Sequence, residues 1–435
     1  MIVTSKIAKI DTTNKMTVAF DVSRRKLNYY SELRGKITGN NCKEVKEVRD
    51  EIRNATTPIA EAIRDLAILA SEHGYRGLHI VSEPTGTYGD ALMRLARKSG
   101  HTTAYISGES VHKAKVIENN DASKSDIKDP RIMFMLSKMG KELTYRTLQP
   151  LYKKLREFNR MYDEADKNRT EARCKLHHLM VRLFCDYPLS KDFIYTASGS
   201  ALMRHFGCNP YRIAAQPYEE FVLIMLNDAP GIRKDTLKNL YQHACCSALH
   251  SVPEEEHLVI QQHLEYVWED YLRADERKES IRKQIEACYP ALWNSGELLP
   301  QADTVFTRFH ICRLAGETGP LSDFPHWRVL FKYAGVNLRV RESGMFKGQL
   351  KFSKKGRNDL RGVAGKLAFR LIRKHEIFGP YFHRKRELCP TMSGTKIMAN
   401  VERKLLRLFY ALGKRREAFS IERFTQCESQ YRLAA

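Results

Sequence analysis

MTVAFDVSRRKLNYYSEL (residues 16–33), read together with GLHIVSEPTG (77–86), decides the fold. MTVAFDVS (16–23) is a β-branched and aromatic run, and KLNYYSEL can return beside it after the SRR turn. VRDEIRNATTPIAEAIRDLAILASEHG (48–74) has helical apolar spacing and closes on Gly74, a suitable C-cap. GLHIVSEPTG reads as a buried strand, TYGDALMRLARKSG (87–100) as an amphipathic helix, and HTTAYIS (101–107) as a further strand. Strand and helix in alternation predict an α/β domain whose inner sheet is largely parallel. In such sheets ligands gather at the carboxyl ends of the strands.

Working outward, LQPLYKKLREFNRMYDEADKNRTEARCKLHHLMVRLFC (148–185) and 253–287 are long, charge-laced helical patterns. They predict an antiparallel helical hairpin or an intermolecular coiled coil. APGIRKDTLKNLYQHA (229–244) lies between them, a PGI turn ahead of a helix. Residues 323–334, 358–374 and 396–413 predict helices, with a turn-rich stretch at 336–360. The chain therefore divides into an α/β domain over 1–147, a helical coiled-coil region over 148–296, and a mainly α-helical domain over 297–435.

The 435 residues carry 73 Lys and Arg against 51 Asp and Glu, a formal net charge of +22. The excess is not uniform. From Gln301 to Ala435 there are 28 basic and 11 acidic residues, a net of +17, which leaves +5 for the first 300. Charge concentrated in this way, interleaved with Phe, Tyr and Gly, is the footprint of a nucleic-acid-binding face. At 43% hydrophobic and 10% aromatic, the composition excludes global disorder. No run of about 18 apolar residues predicts a membrane helix, and MIVTSKIAKI has no secretory character. The ten cysteines follow no metal-binding spacing and read as free thiols of a cytoplasmic protein.

Certain acidic residues stand where a strand prefers a hydrophobe. Asp21 ends the run VAF, and Glu83 follows HIVS ahead of a Pro-Thr-Gly turn. Asp126 and Asp129 lie three apart around an expected helix start and can share one helical face. Four carboxylates from separate chain points, converging on one sheet edge, suit two magnesium ions, which prefer hard oxygen ligands. Helix caps and partly exposed strand ends would account for the same residues without a metal.

FDVSRRKLN, SEPTGTY and SDIKDPR resemble, in order and context, the DEDD-type transposases of the insertion-sequence one-ten family, including its eleven-eleven branch and the Piv-type DNA invertases. The resemblance implies a Holliday-junction-resolvase-like, RNase H-like first domain with Asp21, Glu83, Asp126 and Asp129 as its catalytic metal ligands, for Mg2+ or Mn2+. LFKYAGVNLRVRESGMFKGQLKFSKKGRNDLRGVAGKLA is similar to the family's C-terminal transposase domain, its marks here being Ala334-Gly335, Ser343-Gly344, Ser353, Lys354, Gly356, Leu360 and Arg361. The family's nucleophilic serine matches Ser343, with Ser353 its nearest competitor. Gly344 would let the backbone approach a phosphate. Arg339, Arg341, Lys347, Lys351, Lys354, Lys355, Arg357 and Arg361 are the candidate nucleic-acid contacts. Of the family's P-G-(I/V)-G segment only Pro300 remains, and APGIR (229–233) is an alternative backbone contact.

The resemblance further implies donor and target DNA duplexes as substrates, a non-coding bridge or seeker RNA as guide, and a dimer assembling to a tetramer on the bacterial nucleoid. Membership as a transposase, a Piv-like invertase, and a structure-selective nuclease using the tetrad alone are the alternatives. The charge distribution makes a prediction of its own. Duplex affinity, followed by fluorescence anisotropy, should fall linearly on a log–log plot of binding constant against salt between about 50 and 200 mM.

Overall fold

The computed structural model describes residues 12–33, 46–84, 86–119, 128–144, 146, 148–250, 254–339, 342–343, 346–347 and 351–426. The chain forms two compact units. One comprises 1–149, 297–306 and 317–435, and the other 150–296 with 307–316.

The first unit is built on a six-stranded sheet. Its strands are β1 (Met16–Val22), β2 (Lys26–Leu33), β3 (Lys46–Arg53), β4 (Leu78–Ser82), β5 (Thr102–Ile106) and β6 (Glu142–Thr144). Their spatial order is β3-β2-β1-β4-β5-β6. β1 is antiparallel to β2, parallel to β4, and β4 is parallel to β5, while β3 and β6 close the edges in the antiparallel sense. The sheet is covered on both faces. Phe20, Val18 and Ile80 point toward α1 (Thr56–Glu72) and α2 (Asp90–Lys98), whose Ile59, Ile63, Leu92 and Met93 complete that core. Ala19, Val81 and Ala104 point the other way, toward α3 (Gly108–Asn119) and α4 (Lys128–Lys138), which contribute Val111, Ile132 and Met133. This alternation is the period-two consequence of the pleat.

One expectation is corrected here. The helix predicted over 48–74 begins only at Thr56, because 46–53 forms β3 along the full length of β2, from Lys26↔Arg53 to Leu33↔Lys46. VRDEIR has acceptable helical spacing, but a free β2 edge offers ladder partners to alternate residues along its whole length. Ladder pairing overrides local propensity.

The second unit contains α5 (Pro150–Leu183), α6 (Ala197–Phe206), α7 (Pro210–Ala214), α8 (Tyr218–Asp228), α9 (Lys234–His250), α10 (Glu254–Ala287) and α11 (Tyr289–Asn294). α5 and α10 run antiparallel, as the pairs Arg182–Glu256, Arg169–Asp275 and Lys278–Asp166 show. Helices α6 to α9 pack on the far end of this pair through Leu176, Phe184, Phe206, Phe221 and Leu240. A groove of about 920 Å³ runs along it, floored by Ala165, Ala172, Val267, Ala274 and Ile281. These recur seven residues apart on each helix, the spacing of a heptad seam.

Helix α12 (Arg308–Thr318) leads back into the first unit, where α13 (Trp327–Ala334), α14 (Asn358–Lys374), α15 (Phe378–Leu388) and α16 (Gly394–Arg415) pack around Leu330, Leu367, Phe378 and Phe409. Between α13 and α14 lie four two-residue strands, β7 (Leu338–Arg339), β8 (Glu342–Ser343), β9 (Phe346–Lys347) and β10 (Lys351–Phe352). β7 pairs with β10 and β8 with β9, both antiparallel, as two separate two-stranded ladders. Arg146, 7% exposed at its side chain, ties the two ends of the unit together. Its guanidinium donates to Thr318 O, Pro320 O and Asp323, and lies over the Phe324 ring.

Among the described residues the eight cysteines are all unpaired. No helix among them is long and apolar enough to cross a membrane.

Glu402, on α16, is 9% exposed, and its Oε1 is buried without a hydrogen-bond partner. Burial raises its carboxyl to about 7 from 4.5, with Arg361 offsetting part of the shift. Because the folded value lies above the unfolded one, this residue's contribution is fully present below pH 4.5 and is lost as pH rises through about 7. Glu402→Gln should therefore melt above the wild type at pH 8. The gap should close on acidification to about pH 4, as read by thermal midpoints across that range.

Candidate active site

The parallel register of β1 and β4 runs from Met16↔Leu78 to Phe20↔Ser82. The next residues in that register are Asp21 and Glu83, side by side at the carboxyl ends of neighbouring central strands. By the same pleat that sends Ala19 and Val81 toward α4, both belong to the face that α4 covers. Asp129 lies in the first turn of α4. Its carboxylate is felt at Glu83, whose carboxyl is raised above the ordinary range by burial first and by the Asp129 charge second, with Lys115 pulling in the opposite direction. Three of the four predicted acids thus approach one sheet edge from β1, the end of β4 and α4. Asp126 lies outside the described residues.

Two residues that sequence reasoning missed shape this edge. Gly108, the first residue of α3, lies so close to Glu83 that a Cβ there would overlap Oε1. Lys115, two turns further along α3, places Nζ 2.5 Å from Asp129 Oδ1, and the two side chains are only 15% and 24% exposed. The contact is an ion pair by distance. The same buried Oδ1 receives no hydrogen bond, so the contact is electrostatic only. In sequence, ISGESVHKAK carries a legible cue only in the helical spacing of 108, 111 and 115.

The donors suit a hard divalent cation: all are carboxylate oxygens, one is buried without a hydrogen bond, and Glu83 sits against a like charge. Among the described residues no three His, Cys, Asp or Glu side chains stand close enough to hold an ion, and Asp126 is not among them. The groove along α5 and α10 contains none of these acids.

The basic segment meets the same unit at α3. Lys355 Nζ lies 2.8 and 2.6 Å from the two oxygens of Glu109, which adjoins Gly108. Lys113 and Lys355 hold the Glu109 carboxyl down to about 2. Both partners are exposed, so salt screens this contact. Lys351 and Lys354 are exposed as well. Arg357 and Arg361 are engaged within the fold. Arg357 pairs with Glu317, which is 1% exposed at its side chain, and with Asp359. Arg361 Nη1 donates to Ala334 O at the end of α13, and Nη2 to Asn358 Oδ1.

Gly335 caps α13 in the left-handed region at φ +72, and Gly356 packs so closely on it that a Cβ would overlap Tyr333 O. Ser353 Oγ donates to Asn337 Oδ1 at 2.6 Å, closing the base of the strand ladder. Ser343 pairs with Phe346 across β8 and β9. Arg339, Ser343 and Lys347 are described as strand backbone alone, and Arg341 lies outside the described residues.

Residues 41–185 match a DEDD transposase model of the IS110 type, described as a transposase, and 307–383 match the transposase IS116/IS110/IS902 family. The first match contains Glu83, Asp126 and Asp129, the second contains Ser343, and Asp21 precedes both. The chain is accordingly a transposase, an enzyme that acts on DNA. It belongs to the IS110 family of transposases, whose two models together span just over half of it. No curated protein matches the chain. Among solved structures, the Ppx/GppA family member of Aquifex aeolicus is similar at 10% identity over 60% of this chain and 91% of that one, with a TM-score of 0.18.

The overlap at Gly108 gives a test. Gly108→Ala should displace the Glu83 carboxylate and lower DNA cleavage by on the order of tenfold to a hundredfold. The thermal midpoint should hold, since the atom that must move is the end of the flexible Glu83 side chain rather than backbone. A parallel loss of midpoint would assign Gly108 to folding instead.

Proposed function

We propose that this transposase cleaves and rejoins DNA at a composite site, with carboxylates from the sheet domain and a serine nucleophile from the basic domain. The observation that carries the reading is the register of β1 and β4, which sets Asp21 beside Glu83 on the face where α4 brings Asp129. The sheet order, with two antiparallel strands leading into three parallel ones, supports an RNase H-like first domain.

Asp21, Glu83, Asp126 and Asp129 would hold Mg2+ or Mn2+. When bound, such an ion neutralises charge on a scissile phosphate and on its pentavalent transition state. Ser343 Oγ forms the new ester to phosphorus as the bond from phosphorus to the 3′ oxygen breaks. The serine gives up its proton and the 3′ oxygen leaves as a hydroxyl. The covalent phosphoserine conserves the ester, so strands can be exchanged and rejoined without ATP. Ser353 is the weaker candidate because its hydroxyl already closes the base of the ladder on Asn337. The contact between Lys355 and Glu109 supports the basic domain and the acidic edge acting together.

Lys351, Lys354 and Lys355 are exposed and would take phosphates, as would Arg339, Arg341 and Lys347 of the same segment. Arg357 and Arg361 act by fixing that segment. A bridge or seeker RNA that pairs with donor and target DNA would supply sequence recognition, leaving the protein to hold duplexes by shape and backbone. Joining two duplexes needs several protomers, and the heptad-spaced groove of α5 and α10 supports that helix pair as their contact. A Piv-like invertase would use the same catalytic parts.

The deciding experiment incubates the protein with its own element ends, magnesium and the flanking transcript, and resolves the products on a denaturing gel. A protein-linked strand should form with the wild type and with Ser353→Ala, and be absent with Ser343→Ala or Asp21→Asn. Magnesium-dependent cutting by Ser343→Ala at the wild-type rate, with no adduct in any sample, would identify a nuclease that uses the tetrad alone.

A further inference from the structure

Gly108, Val111 and Lys115 form the stripe of α3 that faces the sheet: Gly108 lies on Glu83, Val111 is 2% exposed in the core, and the Lys115 side chain is 15% exposed. A lysine on a buried stripe is costly unless its charge is compensated. Here the compensation comes from Asp129 Oδ1 at 2.5 Å and from Glu83, both acids of the catalytic edge. The acids need it equally, because two carboxylates drawn together in a half-buried site repel each other. The nearby Lys113 does not share this duty, since its ammonium is committed to Glu109 on the outer side of the helix.

We propose that Lys115 is the resident counter-cation of the carboxylate edge. Its ammonium holds Glu83 and Asp129 together before a divalent ion binds, and it yields Asp129 Oδ1 to that ion. The inference rests on the metal reading of the acids given above. It adds that the protein itself sets how tightly metal is held, by making the ion compete with a tethered charge. Removing that charge should tighten metal binding and loosen the metal-free site, two effects of opposite sense from one substitution.

The test uses the full chain without nucleic acid and Mn2+ as the probe, with free ion followed by electron paramagnetic resonance and thermal midpoints taken with and without it. Lys115→Gln should bind Mn2+ about tenfold tighter at low ionic strength, as expected when a like charge within a few ångströms of the ion is removed. Its midpoint should fall without Mn2+ and return to that of the wild type with saturating Mn2+. Lys115→Arg, which keeps the charge, should not tighten Mn2+ binding. Asp129→Asn should lose the site. Equal or weaker binding by Lys115→Gln, with Asp129→Asn still defective, overturns the counter-cation and leaves the metal reading standing. A lowered midpoint that Mn2+ does not restore also overturns it and makes Lys115 a packing residue. Wild type and Asp129→Asn binding Mn2+ alike would overturn both readings.

Discussion

Parallel pairing of β1 with β4 forces two acids, Asp21 and Glu83, to the ends of adjacent strands, and the rest of the first unit accommodates that placement. Burial first, and the charge of Asp129 second, raise the Glu83 carboxyl above its ordinary range. The fold answers with glycine at 108, where any side chain would collide with Glu83, and with the ammonium of Lys115 against Asp129. Both come from α3, so one helix spaces the carboxylates and supplies their counter-charge.

The same helix receives the basic segment. Glu109 follows Gly108 and takes Lys355, while Arg146, from beyond α4, binds the carbonyls that open the last 120 residues. Residues more than 200 positions apart therefore belong to one compact unit. The +17 of charge over 301–435 divides by role. Lysines around β10 face solvent, whereas Arg357 and Arg361 lock α13, Glu317 and the ladder into a fixed frame.

Much of this was legible in the residues. Apolar runs bounded by turns marked β1, β4 and β5, and amphipathic spacing marked α14 over Asn358–Lys374 and the long α5 and α10. The segment 48–53 was not legible, because its helical spacing is real and only the open edge of β2 turned it into a strand. At the site, Asp21 and Glu83 stood out as acids where strands prefer hydrophobes, yet Gly108 and Lys115 looked like ordinary helix residues. Their roles depend on what lies across from them. Arg357 and Arg361 show the converse, since a basic cluster cannot reveal which guanidiniums will meet a buried glutamate or a helix end.

The sequence by itself determined the strands β1, β2, β4 and β5 with the long helices, the position of acids at strand ends, the separation of a nearly balanced first part from a strongly basic last part, and the motifs that carry the family resemblance. These are properties of neighbouring residues and of local periodicity, which a chain carries whether folded or not. Tertiary structure alone decided the register that sets Asp21 beside Glu83, the antiparallel pairing of α5 with α10 within one chain, and the placing of Lys115 against Asp129. Those are facts about distance between remote residues, and electrostatic interaction depends on distance and burial rather than on position along the chain.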